Sequence, residues 1–276
     1  MDCRQLQCSA VSKRASSRTD AAPADPRGVV ADGSLGSSAR DSTSVIHDSV
    51  REAILSGELG AGTAVSQAKI AEQFGTSRGP VREALRLLER EGLVEAQVNQ
   101  RPRVAGLSIE DLEELYALRI AVESLAITVS VPRFDGSDLT HLHELLDGMA
   151  ATGEGRDTRR YDALHHDFHR ELGKYAGARI VSEMDRLYDH ATRYRQIYRE
   201  QTPRAWSVAT QEHHDIVTAC ETGDAGGAGA LLSRHYARTA LTVLAMIRPE
   251  HEPALVRVAM RSAVSSAQNA GSTPPS

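Results

Sequence analysis

The stretch Gly75-Thr76-Ser77-Arg78-Gly79-Pro80-Val81-Arg82-Glu83-Ala84-Leu85-Arg86 joins a tight turn, a helix start and a row of arginines. Ser77 stands where an N-cap is needed, with a hydroxyl able to accept from an early helical N–H. Pro80 falls in the first turn, where its missing N–H costs nothing. Val81, Ala84, Leu85 and Leu88 then recur at helical spacing as an apolar stripe, while Arg78, Arg82 and Arg86 step by four along another face. One side of this helix is built for a core and another for phosphates and base edges, as a DNA-reading helix requires.

Upstream, Ser44 is predicted to cap a helix with Val45, Ile46, Val50, Ile54 and Leu55 on one face, ended by Gly57 and Gly60. A second short helix over about Ser66 to Phe74 carries Ile70, Ala71 and Phe74, and Gly75 supplies the turn into the arginine helix. Two helices joined this tightly suggest helix-turn-helix. Gly92 ends the third helix, and Leu93 to Ala96 can pair with Arg103 to Ala105 as a wing whose tip offers Asn99, Arg101 and Arg103. A plain surface hairpin would read the same way.

The rest of the chain has a different character. Ser108-Ile109-Glu110-Asp111 is a capping sequence for a helix running to about Val131. Four or five more amphipathic helices follow, broken near Gly136, Gly153, Gly177, Pro203 and Gly223. No strand pattern intervenes, so the expected fold is mainly α: a winged helix-turn-helix domain over 44–106, then an all-α antiparallel bundle of roughly six helices over 107–248. Residues 1–43 read as a disordered arm, and 249–276 as an extension largely disordered toward its end.

Composition narrows the function. The 276 residues, 41% of them hydrophobic, suffice for two domains. The sequence lacks both an apolar run near bilayer length and a secretory h-region, so a cytoplasmic location without membrane partners is expected. Cys3, Cys8 and Cys220 suggest neither a disulfide framework nor a cysteine zinc site. Residues 45–104 hold eight Lys/Arg against eight Asp/Glu, whereas 108–248 hold sixteen against twenty-two. A net-neutral DNA reader gains little non-specific affinity, so two copies acting together are expected.

Seven of the eleven histidines lie between 165 and 235. His165 and His169, at i and i+4, put two imidazoles on one helix face, able to grip one metal ion. His213 and His235 on two later helices would complete a set of four nitrogens in the bundle interior, suited to zinc, with nickel or manganese as alternatives. His166 and His214 leave the register open by one residue, and Asp162 or Asp167 could join as a carboxylate. Any one of these histidines alone reads more simply as a surface or capped core residue. Arg119 and Glu123 are also i and i+4, consistent either with a solvated ion pair or with Arg119 binding a carboxylate.

With both regions read, residues 45 to 247 resemble the GntR family of transcription regulators, specifically the FadR-type subgroup with an FCD ligand-binding domain. The resemblance rests on Ser77-Arg78-Gly79-Pro80-Val81-Arg82-Glu83-Ala84-Leu85 with Leu88, on Glu91-Gly92-Leu93-Val94 and on the Arg101 to Val104 wing. In the second region it rests on Leu115 to Glu123, Phe168-His169, Glu212-His213 and Arg234-His235.

The resemblance implies a homodimer on a double-stranded DNA operator, a repressor more than an activator, controlled by a small-molecule effector, most simply a carboxylate. It implies DNA contacts from Ser66, Lys69, Ser77, Arg78, Gly79, Pro80, Arg82, Arg86, Asn99, Arg101 and Arg103, and a divalent metal on His165, His169, His213 and His235. Two positions depart from the family pattern: His165 stands where Asp or Asn is usual, and Ala68 beside Lys69 where many relatives carry arginine. A hydrolytic metalloenzyme built on the same histidines is the alternative, but no H-E-x-x-H motif supplies its general base. A purely structural metal is the third reading.

Overall fold

The computed structural model describes residues 39–96, 100–152, 157–202 and 204–270. The chain divides into two compact units, Met1–Gly106 and Leu107–Ser276. In the first, helices α1 (Ala39–Leu55), α2 (Gln67–Gln73) and α3 (Arg78–Arg90) precede strands β1 (Val94–Glu95) and β2 (Arg103–Val104). The strands pair antiparallel, Val94 opposite Val104 and Glu95 opposite Arg103, and Ala64 bridges to Arg103 on the other side.

One apolar cluster holds this unit together: Ile46, Val50 and Ile54 of α1 meet Val81, Ala84, Leu85 and Leu88 of α3, with Leu93, Val94 and Val104 closing the base. Gly75 has φ +58 and Gly92 φ +74, a left-handed conformation that glycine adopts without the Cβ penalty, so each reverses the chain beside α3.

Three expectations for this unit need correction. Helix α1 begins at Ala39, so Ser44 lies inside it; no glycine or proline stands between Gly36 and Gly57 to stop the helix from extending upstream. Val45 is exposed, because the buried line runs 46, 50, 54 and its neighbour in sequence is rotated about 100° away. Ser77 occupies the N-cap position of α3, but its side chain makes no capping hydrogen bond. A capping hydroxyl addresses the N–H of the second or third helical residue, and the third is Pro80, which has none. The cap that forms is on α2, where Ser66 Oγ accepts from Lys69 N at 3.4 Å.

Among the described residues, the second unit holds the six helices expected over 107–248, α4 (Ile109–Ser130), α5 (Gly136–Ala151), α6 (Thr158–Leu172), α7 (Ala178–Gln201), α8 (Ala205–Glu221) and α9 (Ala225–Ile247), and a seventh beyond them, α10 (Ala254–Ala270). Ser108 caps α4 by accepting from Asp111 N at 2.9 Å. Asp135 and Asp138 form a reciprocal capping box on α5. Helix α4 is central, packed against α7, α9 and α10. With the turn that follows, it is long and apolar enough by length and composition to cross a bilayer, a run the sequence reading did not anticipate. Over half of that segment is buried against its neighbours.

The extension after 248 is also more ordered than expected, since α10 continues to Ala270. Val256 is fully buried, and the buried carboxylate of Glu113 on α4 accepts from Leu255 N and from His251 Nε2, both at 2.6 Å. A side chain from another helix thus satisfies an orphan donor in the first turn of α10. Of the predicted arm, residues 1–38 lie outside the described residues.

Candidate metal centre and DNA-reading surface

Helix α6 presents His165 and His169 one turn apart, α8 presents His213, and α9 presents His235; all four are buried. Each offers a nitrogen, and the four donor atoms lie within 4.8 Å of one another. Hydrogen bonding determines which nitrogen is free. Tyr188 Oη donates to the Asp162 carbonyl at 2.8 Å, so it accepts from His165 Nδ1–H at 3.0 Å. Tyr236 Oη donates to the Glu123 carboxylate and so accepts from His169 Nδ1–H at 2.8 Å. Burial raises both phenol pKa values above the ordinary tyrosine range and keeps these donors protonated. His235 Nδ1 gives its hydrogen to Glu212 Oε2 at 3.1 Å.

In these three residues Nε2 is left as a bare lone pair, and Nε2 of His165 and His169 stand 3.2 Å apart. The fourth, His213 Nε2, is buried without a hydrogen-bond partner. Burial, reinforced by the neighbouring imidazoles, holds His165, His169 and His213 well below the ordinary histidine pKa. Neutral imidazoles with converging lone pairs and Nδ1 anchored behind them are the chemistry a divalent ion asks of its ligands.

The open register now has an answer in placement. His166 turns to Asp185 at 3.0 Å, and His214 is exposed. Asp162 is held by Arg199, Nη1 to Oδ1 at 2.5 Å and Nη2 to Oδ2 at 3.1 Å. Its carboxylate is committed to guanidinium, so His165 stands with the cluster in its place. Asp167 does not enter the four-residue group.

Arg119 is not in a solvated pair. Its side chain is 1% exposed and that of Glu123 2%, with Nε to Oε1 at 2.7 Å, and its guanidinium lies 4.0 Å from the Tyr236 ring centroid. Arg119, Glu123, Tyr236 and His169 form one hydrogen-bonded chain leading to the histidines.

Beside His165 and His235 lies a partly open pocket, lined also by Tyr161, Arg195, Arg199 and Trp206. It encloses about 420 Å³ of non-atom space, solvent at its mouth included. Tyr188, Glu212, Tyr236, Arg195 and Arg199 surround the centre without being among the site residues expected from the sequence. Glu212 and Tyr236 directly adjoin His213 and His235 in sequence, which was a usable signal. Arg195 and Arg199 are a further i, i+4 pair hidden in a densely charged helix.

In the first unit, Arg78, Arg82 and Arg86 are exposed along α3, with Lys69 and Ser77 also at the surface. Arg86 makes an exposed contact with Glu83 at 3.5 Å. Gly79 has ordinary backbone, and an added Cβ would meet nothing closer than Ser77 Oγ at 3.6 Å. Ser66 and Pro80 are partly buried. On the wing, Arg101 and Arg103 are exposed, and Arg103 Nη1 donates to Gly62 O at 2.9 Å. Asn99 lies outside the described residues.

A winged helix-turn-helix with a row of exposed arginines, in one chain with a helical unit enclosing a histidine cluster, defines a DNA-binding regulator. Residues 42–104 match the family model of bacterial regulatory proteins of the gntR family, and residues 114–238 match the FCD domain. The probable D-xylose utilization operon transcriptional repressor of Paenarthrobacter nicotinovorans is 30% identical over 198 residues, covering 70% of this chain and 85% of that one. The HTH-type regulator YdhC of Bacillus subtilis is 30% identical over 139 residues, half of this chain and 62% of its own length. Among solved structures, a GntR regulator from Rhodococcus sp. RHA1 aligns with a TM-score of 0.64 at 25% identity, over 73% of this chain and 97% of that one. McbR/YncC of E. coli shares the fold, with a TM-score of 0.66 at 20% identity, over 75% and 99%. The chain belongs to the GntR family of transcription regulators, with the FadR-type FCD architecture, and its relatives are regulators rather than enzymes.

Proposed function

We propose that this chain is a cytoplasmic, homodimeric repressor whose affinity for a pseudo-palindromic operator is controlled by a small organic acid bound beside a metal ion in the helical domain. The observation that carries the reading is the convergence of four buried imidazoles, three with Nδ1 anchored and the fourth with an unpartnered Nε2, next to a pocket lined by arginines. His165, His169, His213 and His235 would hold the ion. An all-nitrogen set favours zinc or nickel over the oxygen-preferring magnesium and calcium, and manganese suits it less well. When bound, the ion supplies a positive centre that anchors an anionic ligand. Several relatives are repressors of sugar or gluconate operons by name, which supports repression as the output.

In this reading α3 enters the major groove. Arg78 and Arg82 meet base edges or phosphates, while Ser66, Lys69, Ser77, Gly79, Pro80, Arg86, Asn99, Arg101 and Arg103 line the nucleic-acid side. Dimerisation uses the outer face of α4, where Leu118, Leu125 and Val129 form an exposed apolar row on a helix whose other face is core. Ligand occupancy need shift the balance of DNA-competent dimers by only about 1–3 kcal/mol to change occupancy several-fold.

The test is fluorescence anisotropy on DNA recovered by genome-wide mapping of bound sites. The variant carrying both Arg78→Ala and Arg82→Ala should lose the difference between specific and non-specific DNA at moderate salt. Retained specific binding would show that another surface reads the operator.

A further inference from the structure

His47 on α1 stands between two carboxylates. Its Nε2 lies 2.7 Å from Glu91 Oε1 and its Nδ1 2.8 Å from Asp48 Oδ1, and its side chain is only 15% exposed. An ionised carboxylate only accepts, and neutral imidazole carries one N–H, so the imidazolium alone serves both contacts. Asp48 is 71% exposed and its contact adds little by itself. The Glu91 contact is different, because it joins α1 to the residue that ends α3.

At that residue the reading helix passes into the wing. Glu91 is the C-cap of α3; Gly92 N donates to Glu89 O at 3.0 Å and Leu93 N to Leu88 O at 2.9 Å, and Leu93 O accepts from Ala105 N, just beyond β2, at 3.0 Å. An acid at a helix C-terminus faces the negative end of the helix dipole, and a cation beside it reverses that penalty. The 13 residues of α3 span about 20 Å, so a tilt of about 10° at the His47 end displaces Arg78 by about 3 Å. The packed helices also carry Arg51, one turn after His47, and Glu89 and Arg90 before Glu91.

We propose that His47, in its protonated form, is the positioning residue that sets the angle of the reading helix, so that operator affinity strengthens as pH falls from 8 to 6. Histidine changes charge over this range. This assignment rests on α3 being the helix that reads DNA. A cation at His47 helps twice: it seats α3, and it adds a positive charge to a region, 45–104, whose other charges cancel, which strengthens attraction to phosphate.

The test is fluorescence anisotropy of the full chain on operator DNA from mapped sites and on a scrambled duplex, at pH 6, 7 and 8 with salt held constant. A chain with eleven histidines gains charge in acid, so the readout is the difference between wild type and variant. Wild type should gain at least threefold in operator affinity from pH 8 to 6, and less on the scrambled duplex. His47→Gln, whose amide can still donate to Glu91, should keep the pH 8 affinity and lose the gain. His47→Lys, a permanent cation, should hold the acid affinity throughout. Glu91→Gln, with His47 intact, should lose the gain as well. Urea midpoints at each pH separate positioning from folding.

The same acid gain in His47→Gln as in wild type, no operator-specific gain in wild type, or a loss in His47→Gln that follows the urea midpoint at every pH overturns the proposal. The Arg78→Ala, Arg82→Ala variant run alongside distinguishes the two failures. Lost operator specificity there keeps α3 as the reading helix and confines the failure to His47, whereas retained specificity removes the reading helix and the His47 assignment with it.

Discussion

Nε2 of His165 and Nε2 of His169 face each other at 3.2 Å, and both carry lone pairs because their Nδ1 hydrogens are given to Tyr188 and Tyr236. Two lone pairs at that distance suit a cation held between them. With His213 and His235, they make a set of four buried nitrogens that could hold one metal ion.

Metal binding and stability should therefore separate at His213. Its orphaned Nε2 is a buried polar atom without a partner, a situation that costs about 1–3 kcal/mol. His213→Leu is expected to weaken zinc binding severely, measured by competition with a chromophoric chelator. In the metal-free protein the same substitution should be neutral or stabilising in urea melts. A large loss of metal-free stability would mean that His213 is held by the fold for packing. Zinc at one hundred times its Kd should stabilise the wild type by about 2.7 kcal/mol and this variant hardly at all.

Acid should weaken the metal-free protein. His165, His169 and His213 have pKa values well below the ordinary histidine value of 6.5, burial being the main cause. Below that value the unfolded chain takes up protons that the folded chain refuses. Stability is thus fully present above about pH 6.5 and falls as pH drops toward the folded values, by up to about 1.4 kcal/mol per pH unit for each such histidine. Urea midpoints between pH 7.5 and 5.5 measure this slope. A flat profile over that window would show that the three imidazoles titrate normally in the native state.

The Arg119–Glu123 pair is another place where a single deletion should be severe. Glu123→Ala leaves a buried guanidinium without its carboxylate and removes the acceptor of Tyr236, so a loss of about 3–5 kcal/mol is expected. Replacing both residues together, Arg119→Met with Glu123→Leu, should recover much of that loss. Equal destabilisation in the single and double variants, read from urea midpoints, would show that the ion pair is not what holds this region.

Leu118 and Leu125, respectively 50% and 54% exposed, stand seven residues apart on the outer face of α4. A charge placed there should break self-association and leave the bundle folded. Leu125→Glu is expected to sediment as a monomer, with an unchanged far-ultraviolet circular dichroism spectrum and operator affinity reduced at least tenfold. A variant that remains dimeric would move the interface elsewhere.

Much of the architecture was legible because it is local. Apolar residues at three- and four-residue spacing, Gly75 and Gly92 as turns, and Pro80 in a first turn specify α3 within one short window, and its exposed arginines follow from helical periodicity alone. One error was local and another long-range. The Ser77 cap fails because the amide it would address belongs to a proline, and α10 persists because Glu113, more than one hundred residues earlier, caps it.

For the centre, the residue types and the i, i+4 spacing of His165 and His169 were available from the chain by itself, along with membership of the GntR family. The sequence could not decide between His165, His166 and Asp162. That choice depends on which side chain Arg199 captures and which tautomer Tyr188 and Tyr236 impose. Nor could it reveal that Arg195 keeps two donors unmade. These are properties of α4, α6, α7, α8 and α9 packed together, because burial removes the water that would otherwise satisfy every polar atom and leaves only the partners that tertiary contact supplies.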